Sequence, residues 1–222
     1  MQGRLDLYRN VHKGIRMMMF DLIQKSGRLD FTDATALGEF RGEVRDIVEL
    51  LTSHAHNEDT FKMPLLRKLS PTLHQELTEE HEDQEARLPR LVEMLEQLDP
   101  NDPEAADRGH AWSIQLSRLI GELLVHMADE EEKINPILWH GLTDEVLHQA
   151  EQQLVGSLPP EKLARYLTWM LPAMTHSERA SFLGGIQQGA PEPLFRFIRQ
   201  LASQVLTPAE DAKLETALLV AV

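Results

Sequence analysis

Apolar residues recur at alternating spacings of three and four along almost the whole chain, and this periodicity constrains the fold more than any other feature. Such spacings place side chains on one face of an α-helix, whereas the alternation typical of strands is nearly absent. The first stripe comprises Leu5, Tyr8, His12, Ile15, Met19 and Leu22. The sequence therefore predicts an all-α protein whose first helix covers about residues 5–24.

Three more long helices are predicted before residue 141. The segment SGRLDFTD separates the first helix from the second, Ser70 and Pro71 open the third, and DPNDPEAADRG precedes the fourth. Four helices joined by short loops most often alternate in direction. We therefore expect an up-down-up-down four-helix bundle.

Two of these helices place polar residues where their apolar stripes should continue. Helix 2 ends its stripe with His54 and Glu58. Helix 4 ends in the same way with His126 and Glu130. Residues four apart lie one turn apart on the same face, so each pair presents an imidazole and a carboxylate to one point. This spacing suits two ligands of one centre.

Two further histidines are expected at the same depth. His12 lies near the start of helix 1 and His81 near the start of helix 3. In an up-down-up-down bundle these starts lie beside the ends of helices 2 and 4. A single buried histidine is more typical of a hydrogen-bonded core residue, but six polar residues in phase at one depth indicate a site.

Metal binding explains why two carboxylates would be buried together. An uncompensated buried carboxylate costs several kcal/mol, and two would also repel. Two cations bridged by both groups remove this cost, and mixed His and carboxylate ligands suit iron first, then manganese or zinc. We predict two non-haem iron ions, with manganese or zinc as alternatives. The predicted ligands are His12, His54, Glu58, His81, His126 and Glu130.

The order His12, His54-x3-Glu58, His81, His126-x3-Glu130 resembles the hemerythrin family, a four-helix bundle with a non-haem di-iron centre. The resemblance covers about residues 3–140. It implies that His12 and His54 bind one metal and that His81 and His126 bind the other. It also implies that Glu58 and Glu130 bridge the two metals.

The chain departs from the oxygen-carrying members of that family. They have a second histidine one turn before the helix-3 ligand, where this chain has Leu77. The pattern is more similar to hemerythrin-like domains of iron-sensing ubiquitin-ligase subunits and bacterial iron-sulfur repair proteins. No RING, F-box or zinc-finger sequence is present, so ligase function is not expected. The second metal would have open positions unless Glu85 fills one.

Residues 142–222 are predicted to form a C-terminal helical extension of the metal-binding domain at residues 1–141. Five helices are expected there, at about 143–156, 160–174, 176–188, 191–205 and 208–220. Capping boxes are predicted at Thr175–Glu178 and Thr207–Glu210. Within the first domain, HAHNEDTFKMPLL and HMADEEEKINPIL share one spacing of His, Glu and Pro, so helices 2 and 4 should end alike.

Charge and composition exclude several partners. The formal net charge of −14 disfavours nucleic acid and anionic membrane surfaces. No apolar run approaches the roughly 20 residues of a membrane span, and the N-terminus lacks a signal-peptide layout. With no cysteine, disulfides and thiolate sites are excluded. A cytoplasmic location is expected.

These observations predict a protein that binds or senses iron and small oxidants, namely O2, NO or peroxide. A di-iron redox enzyme acting on an unknown substrate, of the peroxidase, oxidase or iron-sulfur repair type, is the alternative. The sequence does not decide whether the chain is an enzyme. A protein partner or a second copy could bind through residues 142–222.

Overall fold

The structure is a computed structural model that describes residues 3–220, with the side chain of Val220 left aside. Within this range it is helical and contains no strand, which confirms the predicted all-α class. The helices are α1 (Arg9–Ser26), α2 (Ala34–Phe61), α3 (Met63–Leu69), α4 (Pro71–Glu96), α5 (Ala105–Asp129), α6 (Asn135–Gly141), α7 (Asp144–Ser157), α8 (Pro160–Ala173), α9 (His176–Gly189), α10 (Glu192–Val205) and α11 (Pro208–Val220). A π-helical turn, Glu130–Ile134, joins α5 to α6.

Helix α1 begins four residues later than predicted, at Arg9 rather than about Leu5. The preceding segment is fixed by side-chain hydrogen bonds instead. The Arg4 guanidinium donates to Asp144 Oδ1 at 2.6 Å and to the carbonyls of Trp139 and Leu142. These bonds hold the segment outside a helix, although its apolar residues keep helical spacing.

A capping side chain or a first-turn proline marks the start of several helices. Asp33 accepts hydrogen bonds from the backbone N–H groups of Thr35 and Ala36, and α2 begins there. Proline occupies the first turn of α3, α4, α6, α8 and α10, where its missing N–H costs nothing. Ser70 precedes α4 as predicted, but its side chain makes no capping bond.

Helices α2 and α5 both continue into a short proline-started helix, which is the structural counterpart of the repeated spacing in the sequence. Helix α3 follows α2, and α6 follows α5 through the π-helical turn. The two short helices share an apolar cluster with the segment before α1, with α4 and with α7. Its buried members are Leu7, Tyr8, Met63, Leu66, Leu77, Ile134, Leu138 and Leu147.

A second packed region surrounds Trp112 on α5. Its ring packs edge-to-face against Phe31 and Phe40, and its indole N–H donates to the Leu91 carbonyl at 2.9 Å. Gly109 allows Phe31 to approach α5, since a Cβ at that position would lie 2.1 Å from the Phe31 ring.

Backbone contacts divide the chain into two compact units. The first contains the residues up to Tyr8 together with Met18–Ser157. The second contains Arg9–Met17 and the residues from Leu158 onward. The division by contacts therefore differs from a boundary at residue 141, and that boundary stays a prediction.

The second unit has its own apolar core, formed by Leu167, Leu171, Leu183, Ile198, Ala202, Leu206, Leu214 and Leu218. Helix α8 packs on α10, and α9 packs on α11. Both predicted capping boxes are confirmed, because Thr175 and Glu178 exchange their capping bonds, as do Thr207 and Glu210. The helices of this part lie within two residues of their predicted limits. No helix among residues 3–220 combines the length and apolar character needed to cross a membrane.

Candidate metal centre

The six predicted ligands occupy four α-helices and the π-helical turn. His12 lies on α1, His54 and Glu58 lie in the last turns of α2, and His81 lies on α4. His126 lies in the last turn of α5, and Glu130 opens the π-helical turn. His54 is half-buried and the other five are buried, with Glu58 1% exposed and Glu130 0% exposed.

One group of side chains combines two carboxylates with two imidazoles. Glu58, His81, His126 and Glu130 each offer a ligand atom within 4.8 Å of the others. The Nε2 atoms of His81 and His126 lie 2.9 Å apart. His81 Nε2 lies 3.8 Å from Glu58 Oε2 and 3.9 Å from Glu130 Oε1, and His126 Nε2 lies 3.6 Å from Glu130 Oε2. The donor atoms are therefore close enough to one another to bind one cation.

Two carboxylates outside this group orient its imidazole rings. His81 Nδ1 lies 2.7 Å from Asp59 Oδ1, and His126 Nδ1 lies 2.6 Å from Glu80 Oε2. A carboxylate only accepts hydrogen bonds, so each Nδ1 carries the proton and each Nε2 lone pair is turned inward. Histidines that bind metals generally make such a bond with their other nitrogen.

The facing lone pairs of His81 and His126 repel unless a cation lies between them. In the absence of metal, a proton on one of the two Nε2 atoms can remove this repulsion. Burial lowers the pKa of His81, but the bond to Asp59 and the charges of Glu58 and Glu130 outweigh burial, and its pKa is raised. The electrostatic field of this group therefore favours positive charge.

A further group of ligand atoms shares both carboxylates with the first. His54 offers a ligand atom that lies within 4.8 Å of those of Glu58 and Glu130. His54 Nε2 is 3.4 Å from Glu58 Oε1, as expected for residues one helical turn apart. Glu58 and Glu130 are thus common to two sets of donors, which is the arrangement that two bridged metals require.

The turn that carries Glu130 was not foreseen from the sequence. Residues Glu130–Ile134 form a π-helical turn, and such turns often occur at functional sites in otherwise regular helices. Glu130 at its start is fully buried and Glu131 is half-buried, so the predicted phase holds as far as the ligand position.

Lys62 also lies at the centre, although the sequence pattern did not lead us to predict it. Its side chain is 3% exposed, and its Nζ donates to the Leu7 carbonyl at 2.8 Å. The same Nζ lies 3.3 Å from Glu58 Oε1 and 4.1 Å from the centre of the Tyr8 ring. A signal was present, because Lys62 continues the four-residue spacing of His54 and Glu58. An ammonium group therefore lies beside one carboxylate of the centre.

Tyr8 and Glu151 are two further titratable groups near this ammonium group. Burial, together with the charges of Glu130 and Glu58, raises the pKa of Tyr8 well above its ordinary value. Burial raises the pKa of Glu151 on α7, and the charge of Lys62 opposes that rise. Both groups therefore tend to hold their protons.

The residues left out of the ligand set lie elsewhere. Glu85 is exposed and belongs to neither group of ligand atoms, so it does not fill an open position at the second predicted metal. His56 and His148 are exposed, as expected from their positions off the stripes. Leu77, where oxygen carriers have a histidine, is buried in the apolar cluster.

The donor set fits a bound metal. Two buried carboxylates converge with the imidazoles of His54, His81 and His126, and carboxylates hold two of these rings with a lone pair facing inward. Helical segments ending in such a site define a metal-binding protein of the all-α class.

Comparison with protein families specifies the class further. Residues 4–138 match the model of the hemerythrin HHE cation-binding domain, and the chain belongs to that family. The predicted resemblance to this family is therefore confirmed. Comparison with curated proteins and with solved structures gave no significant match.

Proposed function

We propose that the protein is a non-haem binuclear iron protein that binds or senses iron and small oxidants. The observation that carries this proposal is the membership of Glu58 and Glu130 in both ligand groups. A single-metal site would not need two groups with two buried carboxylates in common. Bridging shares each negative charge between two cations and offsets the cost of burying it.

Each side chain has a role in this proposal. His12 and His54 would hold one iron, His81 and His126 would hold the other, and Glu58 and Glu130 would be ligands of both. When bound, the two irons supply one-electron redox changes and open positions for O2, NO or peroxide. The imidazole and carboxylate donors favour iron, with manganese or zinc as alternatives, over calcium or magnesium.

The shortage of protein ligands favours small-molecule reactivity. Leu77 offers no donor, and the exposed Glu85 lies outside the ligand groups. The metal held by His81 and His126 therefore has fewer protein donors than the corresponding metal of an oxygen carrier. Such a site favours reaction or sensing over simple reversible oxygen carriage.

An open groove of about 800 Å3 between α4 and α5 reaches His126. Its lining includes six carboxylates: Glu76, Glu79, Glu80, Asp83, Glu122 and Asp129. Their negative potential raises the local concentration of cations. The groove thus supports a route by which metal and small ligands reach the centre.

Exposure of the ferrous protein to small oxidants tests the proposal. Protein purified and loaded with iron without oxygen should change its optical spectrum on exposure to O2, NO or peroxide. His56→Ala, which changes an exposed histidine, should react like the parent protein. Ferrous iron that stays unchanged through all three exposures would contradict the proposal, whereas sustained consumption of peroxide would favour the redox-enzyme alternative.

A further inference from the structure

Lys62 is held in place by three groups of the first unit. Its ammonium group meets the Leu7 carbonyl, the face of the Tyr8 ring and Glu58 Oε1. Removing an ammonium group from water is costly unless charge and hydrogen bonds compensate it. These three contacts therefore offset the cost of burying the ammonium group.

The sequence repeat has an apolar residue at the position that corresponds to Lys62. Lys62 follows Glu58 by four residues, and Ile134 follows Glu130 by four. In both copies the proline of the next short helix comes two residues later. Ile134 is fully buried, so an apolar side chain fills the equivalent position. The positive charge distinguishes one half of the centre from the other.

The contacts of Glu58 show which half is affected. Its Oε1 lies 3.3 Å from Lys62 Nζ and 3.4 Å from His54 Nε2. Its other oxygen faces His81 Nε2 at 3.8 Å. The ammonium group thus contacts the oxygen on the His54 side and leaves the oxygen on the His81 side to the other donors.

We propose that Lys62 is a tethered cation that holds Glu58 Oε1 in the metal-free protein and competes with the metal on the His54 side. This inference rests on the proposed binuclear centre. The two metals then load unequally: the His81–His126 position fills first, and the His54 position fills at higher metal concentration. Like charges about 4 Å apart repel strongly even at a screened protein site.

Anaerobic titration of the metal-free protein with ferrous iron, followed by calorimetry, tests this inference. The parent protein should show two binding steps of different affinity. Lys62→Met and Lys62→Ile should strengthen the weaker step by at least about tenfold, since the competing charge is gone. Lys133→Met is the matched control, because Lys133 pairs with Asp129 at the surface and is 51% exposed.

The possible outcomes separate this inference from the proposal on which it rests. Two equal binding steps in the parent protein would overturn the inference and leave the binuclear centre intact. Unchanged affinities in well-folded Lys62 variants would also overturn it, because a lysine with a purely structural role would alter only the stability of the metal-free protein. No iron binding by the parent protein would overturn both. The two-step titration of the parent protein keeps the test decisive if the variants do not fold.

Discussion

Asp59 and Glu80 are not among the proposed metal ligands, but they fix the orientation of the imidazole rings of two ligands. Each is largely exposed and pairs with the Nδ1 atom of a buried histidine, His81 or His126. The sequence offers little to identify them, since each directly follows another acidic residue. Only the folded arrangement of α2, α4 and α5 shows which carboxylate reaches which ring.

Asp59→Asn and Glu80→Gln should weaken metal binding without abolishing it. Loss of the carboxylate that orients a ligand typically costs about 10–100-fold in metal affinity. Titration of the metal-free variants with ferrous iron measures this loss. Glu82→Gln, which changes an exposed residue outside the lining of the acidic groove, is the control and should match the parent protein. An equal loss in the control would show that net charge, rather than ring orientation, sets the affinity.

Replacing the bridging residues should have a larger effect. Glu58→Ala and Glu130→Ala should each abolish the binuclear centre, because each residue belongs to both ligand groups. His56→Ala and His148→Ala should leave metal content unchanged, since both side chains are exposed. Elemental analysis of the purified variants distinguishes the sets. Similar metal loss in all four would mean that the phase of the helices does not define the site.

Helices with clear apolar periodicity were predicted well, but their ends were predicted less accurately. Pro71 and the two capping boxes marked the starts of three helices from the sequence alone. The predicted start of α1 was wrong because Arg4 forms hydrogen bonds with residues about 140 positions away. The π-helical turn at Glu130 has no signal in apolar spacing, since it begins where the stripe ends.

Helix α5 offers a test of close packing. Gly109→Ala should destabilise the protein by about 1–3 kcal/mol, because the added methyl group would overlap the Phe31 ring. Gly121→Ala on the same helix meets no neighbour within 4 Å and should stabilise it by up to about 1 kcal/mol. Urea unfolding of the metal-free proteins measures both changes. Equal stability of the two variants would contradict the packing described around Trp112.

For the molecule as a whole, the family match and the first contact unit end at different residues. The hemerythrin HHE match ends at residue 138, whereas the first contact unit extends to Ser157. Helix α7 groups with this unit because Leu147 is buried in its apolar cluster. The loop before α7 was evident in the sequence, but not the surface on which α7 packs. In the second unit, Lys13 pairs with Glu178, and Gly14 lies close to Met170.

Metal removal should loosen one part of the first unit. Metal binding to the folded state adds about 4 kcal/mol of stability at a thousand-fold excess over Kd. Chelation should therefore lower the melting temperature and speed amide exchange around Glu58 and Glu130. The effect should be larger at Glu130, because Lys62 still compensates Glu58. Hydrogen exchange measured by mass spectrometry should show no change around Trp112, and faster exchange spread evenly over all helices would contradict this account.

The number of metal ions per chain tests the central claim most directly. Protein produced with ample iron and purified without oxygen should contain about two iron ions per chain, because two carboxylates are shared between two groups of nitrogen ligands. Elemental analysis against a protein concentration from amino-acid analysis gives this ratio. About one ion per chain, or zinc retained in preference to iron under these conditions, would contradict a binuclear iron centre.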